Sequence, residues 1–160
     1  MQYLHMTLIM MLLSAGTGSA DVLSDRVKCL AQNIYFEARG ESTLGMRAVA
    51  WVTMNRVDHA QYPNSICGVV KQSNKDSSGN VKRNQCQFSW YCDGSPDDIN
   101  NPEQWKISVK LAQRVLTNYR NGIDADPTHQ ATMFHGKHVS PYWKSKYKQT
   151  TTIGHHIFYR

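Results

Sequence analysis

Apolar residues recur at helical spacing in Val27, Leu30, Ala31, Ile34 and Ala38. The pattern predicts a helix with one core-facing stripe, N-capped by Ser24, running to about Arg39 and stopped at Gly40. In the next segment Met46, Ala48, Val49, Ala50, Trp51, Val52 and Met54 cover nearly every face. A second helix is therefore expected, capped by Ser42 or Thr43, ending near Val57 and buried at the centre of the fold. Tyr62-Pro63-Asn64 reads as a turn, and Ser65 starts a short helical segment to about Gln72. Ser73 to Asn84 is polar and reads as a surface loop or loose hairpin. Gln87 to Tyr91 is expected to be a short strand or extended segment, ended by Asp93-Gly94. Asn101-Pro102 sets an N-cap beside a first helical residue, and Trp105, Val109, Ala112, Leu116 and Tyr119 continue that helix to Gly122. Three extended stretches follow: Ala131 to His135, Val139 to Trp143, and Thr150 to Tyr159. The fold class is α+β, with helices first and short strands late. At 160 residues, with no internal repeat or linker, the chain is one domain.

One polar residue interrupts this pattern in an informative place. Glu37 lies three residues beyond Ile34 and seven beyond Leu30, on or beside the apolar stripe. Partial desolvation there disfavours the charged carboxylate and raises its pKa, as a general acid near neutral pH requires. Spacing alone fits equally well a buried acid neutralised by Arg39 or Arg56.

The amino terminus has a different character. Leu4 to Leu13 is mostly apolar, and Gly18-Ser19-Ala20 before Asp21 resembles a small-residue cleavage site, so residues 1–20 read as a signal peptide. The segment before the apolar run has no Lys or Arg, which leaves a releasable signal anchor as the alternative. The apolar run is short for a membrane span, so contact with the membrane is expected to be transient. Residues 21–160 are then expected to form an exported domain, acting in the periplasm, the cell wall or outside the cell. Four cysteines in an exported domain suggest two disulfides. Of the three pairings, the expected one is Cys67 with Cys86 and Cys29 with Cys92. The formal net charge is +6 and the pI about 9.2, a balance that favours polyanionic surroundings. No nucleic-acid-binding signature accompanies it.

Glu37-Ala38-Arg39-Gly40-Glu41, Ala48 to Val52, Asn55-Arg56-Val57, Tyr62 to Val70, Gln85 to Trp90, Phe134-His135, Val139 to Trp143 and Ile153 to Arg160 form an ordered series of blocks. In these the chain resembles the SleB/CwlJ-type cell wall hydrolases, the spore-cortex-lytic enzyme family. The resemblance implies a lytic-transglycosylase, goose-lysozyme-like fold, peptidoglycan glycan strands as substrate, and Glu37 as the catalytic acid. It also makes Gln87, Phe88, Ser89 and Trp90 candidates for lining a sugar groove, joined by His135, Tyr142, Trp143 and Tyr159. Phe88, Trp90 and Trp143 fit the core equally well. Arg56 and His156 read as structural support.

Glycosidases usually flank the scissile bond with two carboxylates. Glu41 is four residues from Glu37 and reads as structural, pairing with an Arg or placed at the start of the second helix. Asp93, Asp97, Asp98, Asp124 and Asp126 all sit in turn-like sequence. A single acid suits a lytic transglycosylase, which needs no cofactor. A hydrolytic muramidase is the alternative. A zinc amidase built on His135, His138, His155 and His156 lacks a surrounding metal signature, and a non-catalytic wall-binding module leaves the Glu37 block unexplained. The domain is expected to act as a monomer.

Overall fold

The computed structural model describes residues 18–160, with side chains from Asp25 onward. The expected signal peptide lies outside these residues except for Gly18 to Ala20, which begin the first helix.

Helix α1 spans Gly18–Ala38. Ser24 is therefore inside a helix and is not its N-cap, since Ala20 to Leu23 contain neither Gly nor Pro to stop helical backbone. The predicted stripe is buried: Leu30, Ala31 and Ile34 are fully enclosed and Ala38 nearly so. Helix α2 spans Thr43–Asp58, with the Ser42 hydroxyl accepting from the Gly45 N–H. It is apolar all round because it divides two cores. Met46, Val49, Ala50 and Met54 pack with α1, the short helix α3 (Ile66–Val70) and α4 (Pro102–Asn121), while Ala48 and Val52 meet Ala131 and Phe158 on the other side. Helix α4 begins as expected, with Asn101 Oδ1 accepting from the Gln104 N–H, and ends at Gly122 in the left-handed conformation.

The polar stretch after α3 is an antiparallel hairpin of β1 (Ser73–Lys75) and β2 (Val81–Cys86). The late strands β3 (Met133–Gly136), β4 (Gln149–Ile153) and β5 (His156–Tyr159) form an antiparallel sheet in the order β3-β5-β4. Phe134 opposes Phe158 in this register, and the buried Phe158 ties the sheet to α2. β3 is an edge strand, so residues of both its faces can border an adjacent cleft.

Two expected extended segments are not strands. Ser89–Cys92 is a 3-10 helix, because a disulfide joins Cys86 to Cys92 across a Cα–Cα distance of 6.1 Å. Six residues of extended chain would span about 20 Å. Val139 to Trp143 also leaves the sheet: the Val139 N–H donates back to the Gly136 carbonyl, and past Pro141 the chain forms a 3-10 helix over Tyr142–Lys146. Pro141 supplies no N–H for strand pairing.

The cysteine pairing is likewise corrected. Cys29 bonds to Cys67 and Cys86 to Cys92. α1 packs against α3, which brings Cys29 and Cys67 to a Cα–Cα distance of 5.3 Å. The two loops differ in length, 38 residues against 6. On chain entropy alone they are worth about 4 and about 2 kcal/mol. Denaturant melts of Cys29→Ser/Cys67→Ser should therefore show the larger loss of stability and those of Cys86→Ser/Cys92→Ser the smaller. Recovery of a Cys67–Cys86 peptide from a non-reducing digest would contradict the pairing.

Candidate active site

The last turn of α1, the segment after β2 and the edge strand β3 enclose a cleft of about 330 Å³. Glu37 is on its α1 side, Gln87, Phe88 and Ser89 form one wall, and Phe134, His135 and Trp143 form the facing one. The position of Glu37 follows from what holds α1. Leu30, Ile34 and Ala38 lock the helix into the core. Asn33, one turn before Glu37 and fully buried, donates to Thr53 Oγ1 (3.1 Å) and accepts from Trp90 Nε1 (3.2 Å). Trp90 in turn stacks on Phe36, with ring centroids 4.6 Å apart. A satisfied buried network of this kind fixes a unique arrangement, so the Glu37 side chain has little room to shift with its helix.

Burial raises the Glu37 pKa from its ordinary 4.5 to about 7, and the positive charge of Arg56 offsets part of that rise. Arg56 is itself enclosed, 2% exposed. Its Nε donates to the Thr132 carbonyl (2.7 Å), and its guanidinium lies 4.8 Å from the Phe88 ring centre and 5.5 Å from that of Tyr62. Burial lowers its own pKa to about 10, so it stays cationic at neutral pH. Among the described residues Arg56 forms no ion pair with Glu37. Arg39 is exposed and donates to the Tyr35 hydroxyl. Neither arginine neutralises Glu37 by direct contact, so desolvation dominates.

The sheet supplies the opposite wall. His135 Nδ1 lies 2.8 Å from the Gly136 carbonyl, which can only accept, so Nδ1 carries the proton. In the neutral ring Nε2 is then the acceptor for the Tyr159 hydroxyl at 2.9 Å. Tyr159 is buried and stacks on His135 at 5.3 Å, supporting that ring from behind the cleft. His156 borders the cleft, edge-on to Phe134, and burial lowers its pKa. Of the five buried side-chain polar atoms that lack a partner among the described residues, two belong to cleft residues: Arg56 Nη1 and His156 Nδ1.

Glu41 has no arginine partner. Its carboxylate, 8% exposed, accepts from the His155 backbone N–H at 3.2 and 3.3 Å and lies 2.9 Å from His155 Nδ1. This ties the start of α2 to the β4–β5 turn. Gly154 in that turn has φ +57°, and a Cβ there would collide with the Glu41 carboxylate. Three of the candidate groove residues do not border the cleft, and one of them is Tyr159, buried behind His135. Trp90 is 8% exposed and belongs to the core, whereas Tyr142 is 86% exposed and points away from the cleft. Met133, Phe134 and Gly136, not among the groove candidates, also border the cleft, as does His138, a candidate only as a metal ligand. The alternation of β3, set on an edge strand, was the signal for them. Among the described residues no three His, Cys, Asp or Glu side chains converge on a metal-sized site.

Residues 40–159 match the sequence model of the family described as Cell Wall Hydrolase. The chain belongs to the cell wall hydrolase family. The match begins three residues after Glu37, so it covers Glu41 and Arg56 but not the acid itself. This cell wall hydrolase is 28% identical over 133 residues to a spore cortex-lytic enzyme of Halalkalibacterium halodurans, a stretch covering 82% of this chain and 34% of that protein. It is 46% identical over 44 residues to the spore cortex-lytic enzyme of Bacillus subtilis, 28% of this chain and 14% of that one. The chain thus spans at most about a third of these relatives' length. Among solved structures it is similar to the catalytic domain of the germination-specific lytic transglycosylase SleB from Bacillus anthracis. The TM-score is 0.63 and the identity 26%, over 85% of this chain and 94% of that one. The SleB catalytic domain from Bacillus cereus gives a TM-score of 0.57, again at 26% identity, over 86% and 91%. The α+β expectation holds, as a lysozyme-like fold with helices first and strands late.

The raised pKa of Glu37 has a consequence for stability. Between pH 4.5 and about 7 the unfolded chain has released this proton while the folded chain retains it, so stability falls as pH rises through that window. Above it the full cost remains. Glu37→Gln removes the cost, and thermal melts should show the variant gaining on the parent at pH 8 but not at pH 4. An equal difference at both pH values would contradict the desolvated carboxyl.

Proposed function

We propose that this domain cleaves the bond between N-acetylmuramic acid and N-acetylglucosamine in peptidoglycan as a lytic transglycosylase, with Glu37 as its single general acid and base. The observation that carries this reading is the lone carboxyl of the cleft. Glu37 is the only Asp or Glu among the described residues that border it, and it holds a proton near neutral pH. Glu41, the next acid along the chain, is engaged with His155.

Protonated Glu37 donates to the glycosidic oxygen as the C1–O bond of the muramic residue breaks. The carboxylate so formed accepts the proton of that residue's C6 hydroxyl, whose oxygen closes on C1 to give a 1,6-anhydro ring. The proton is returned and no water is consumed. Positive charge developing at C1 is met by the newly formed carboxylate, and Arg56 is close enough to favour the charged form. Phe88 and Trp143 offer ring faces and Gln87 and Ser89 offer polar tips. A muramidase that hydrolyses the bond would need a second group to position water, and the described cleft has no second carboxylate for it. A relative named as a spore cortex-lytic enzyme and a structural neighbour named as a lytic transglycosylase support action on the wall, hence export, with residues 1–20 as the leader.

Glu37→Gln keeps the shape and loses the transferable proton, so dye release from labelled peptidoglycan should fall by roughly 10²–10⁴-fold, the usual contribution of general acid–base catalysis. Activity of the parent should decline as pH rises through about 7, because the ionised acid cannot donate. Glu41→Gln should act mainly by lowering the melting temperature. Mass analysis should find anhydro-muropeptides. An active Glu37→Gln beside a folded but dead Glu41→Gln would reverse the assignment.

A further inference from the structure

The charge of this protein is unevenly distributed. From Pro127 to Arg160 there is no Asp or Glu, whereas Lys137, Lys144, Lys146, Lys148 and Arg160 are all present. The four lysines are exposed, and among the described residues none forms an ion pair. Three of them flank or belong to the 3-10 helix that also carries Trp143. Trp143 turns inward to border the cleft, 5.6 Å from His135. At three residues per turn, Lys146 sits directly one turn beyond it. Lys144 Nζ donates to Ser140 Oγ (2.7 Å), and Lys146 Nζ lies 5.9 Å from the ring centre of the outward-facing Tyr142. Lys137 begins the same excursion of the chain, its N–H donating to the His155 carbonyl. The excursion of the chain between β3 and β4 is thus a basic ridge that also supplies Trp143 to the cleft.

We infer that this ridge, Lys137 with Lys144, Lys146 and Lys148, docks the carboxylates of the peptide stems on the glycan strand held in the cleft. The inference rests on the proposed transglycosylase reading and adds a preference for stem-bearing over bare glycan. The chemistry of that reaction selects the anion. Ring closure uses the C6 hydroxyl of the muramic residue, so that position must be free in the reacting sugar and cannot carry a phosphate polymer. The anion the same sugar does carry is on its lactyl arm and peptide, which leave the reacting residue at C3. Opposite charges arranged this way speed encounter and fix register more than they tighten binding, and salt should weaken them.

The test is co-sedimentation of the Glu37→Gln chain with insoluble sacculi stripped of phosphate polymers by hydrofluoric acid, with half the sample then amidated at its carboxylates. Individual exposed charge pairs are weak, so four together should give about a tenfold loss of binding on amidation. A similar loss is expected for K137Q/K144Q/K146Q/K148Q on untreated carboxylates, with little added by combining the two. The fourfold Lys→Arg variant should bind like the parent. Unchanged binding after amidation, unchanged binding by the Gln variant, or loss of binding at the hydrofluoric acid step would each overturn the docking surface; the last would make phosphate polymer the recognised anion. Anhydro product is scored separately with unmodified enzyme. Its absence would sink the transglycosylase reading while these binding arms still report on the ridge.

Discussion

Partial burial of Glu37 beside the core raises its pKa to about 7, and most of the fold around the cleft contributes to that. The carboxyl hangs from the last turn of a helix whose other side is fully enclosed, and aromatic rings form much of the surface around it. A buried guanidinium nearby pulls the opposite way and would by itself favour ionisation. The outcome, a pKa near 7, says that desolvation wins. Arg56 makes no direct ion pair with Glu37, its Nε donating to the Thr132 carbonyl and its guanidinium lying against Phe88 and Tyr62. A contact ion pair would have favoured the charged carboxylate and cost the acid its proton.

The two walls of the cleft come from distant parts of the chain, and α2 joins them. Its inner face grips α1, its outer face grips the sheet, and its polar residues fasten the loop between α4 and β3. Asn55 donates to Asp126, Thr128 and the Ala131 carbonyl, while Asp126 also accepts from the Thr128 and Gln130 N–H groups. At the other end of α2, Glu41 clasps the β4–β5 turn. Glu37 and Glu41, four residues apart, therefore differ: among the described residues no hydrogen-bond donor reaches the first, whereas the second is satisfied by them. Arg56 Nη1, buried and without a hydrogen-bond partner among the described residues, is a cost to folding.

Much of this was legible in the sequence. The helical stripe of α1 places Glu37 beside the core, the all-round apolar character of α2 makes it central, and Asn101-Pro102 and Gly122 bound α4. These are local signals, carried by periodicity and capping. What failed was long-range. Gln87 to Tyr91 has strand-like composition, yet a disulfide six residues long folds it into a turn of helix, and cysteine spacing alone does not fix pairing. Trp90 and Tyr142 are both aromatic members of family blocks, but only tertiary contacts separate one buried against Phe36 from one in solvent. Sequence offers Glu41 an arginine partner or a place at the start of α2, because charge pairing and helix ends are readable locally. A histidine 114 residues away, brought close by a hairpin, is not.

The account depends most directly on the ionisation of one carboxyl. A carbon-13 NMR titration of glutamate side chains, with the Glu37 resonance assigned by its disappearance in Glu37→Gln, would measure it in the intact chain. The midpoint should lie near 7. Arg56→Gln, if the variant stays folded, should move it higher, because the charge that lowers it is gone. A Glu37 midpoint at or below 4.5 in the folded parent would mean that the carboxyl is solvated or paired, and that the acid of this cleft is some other group.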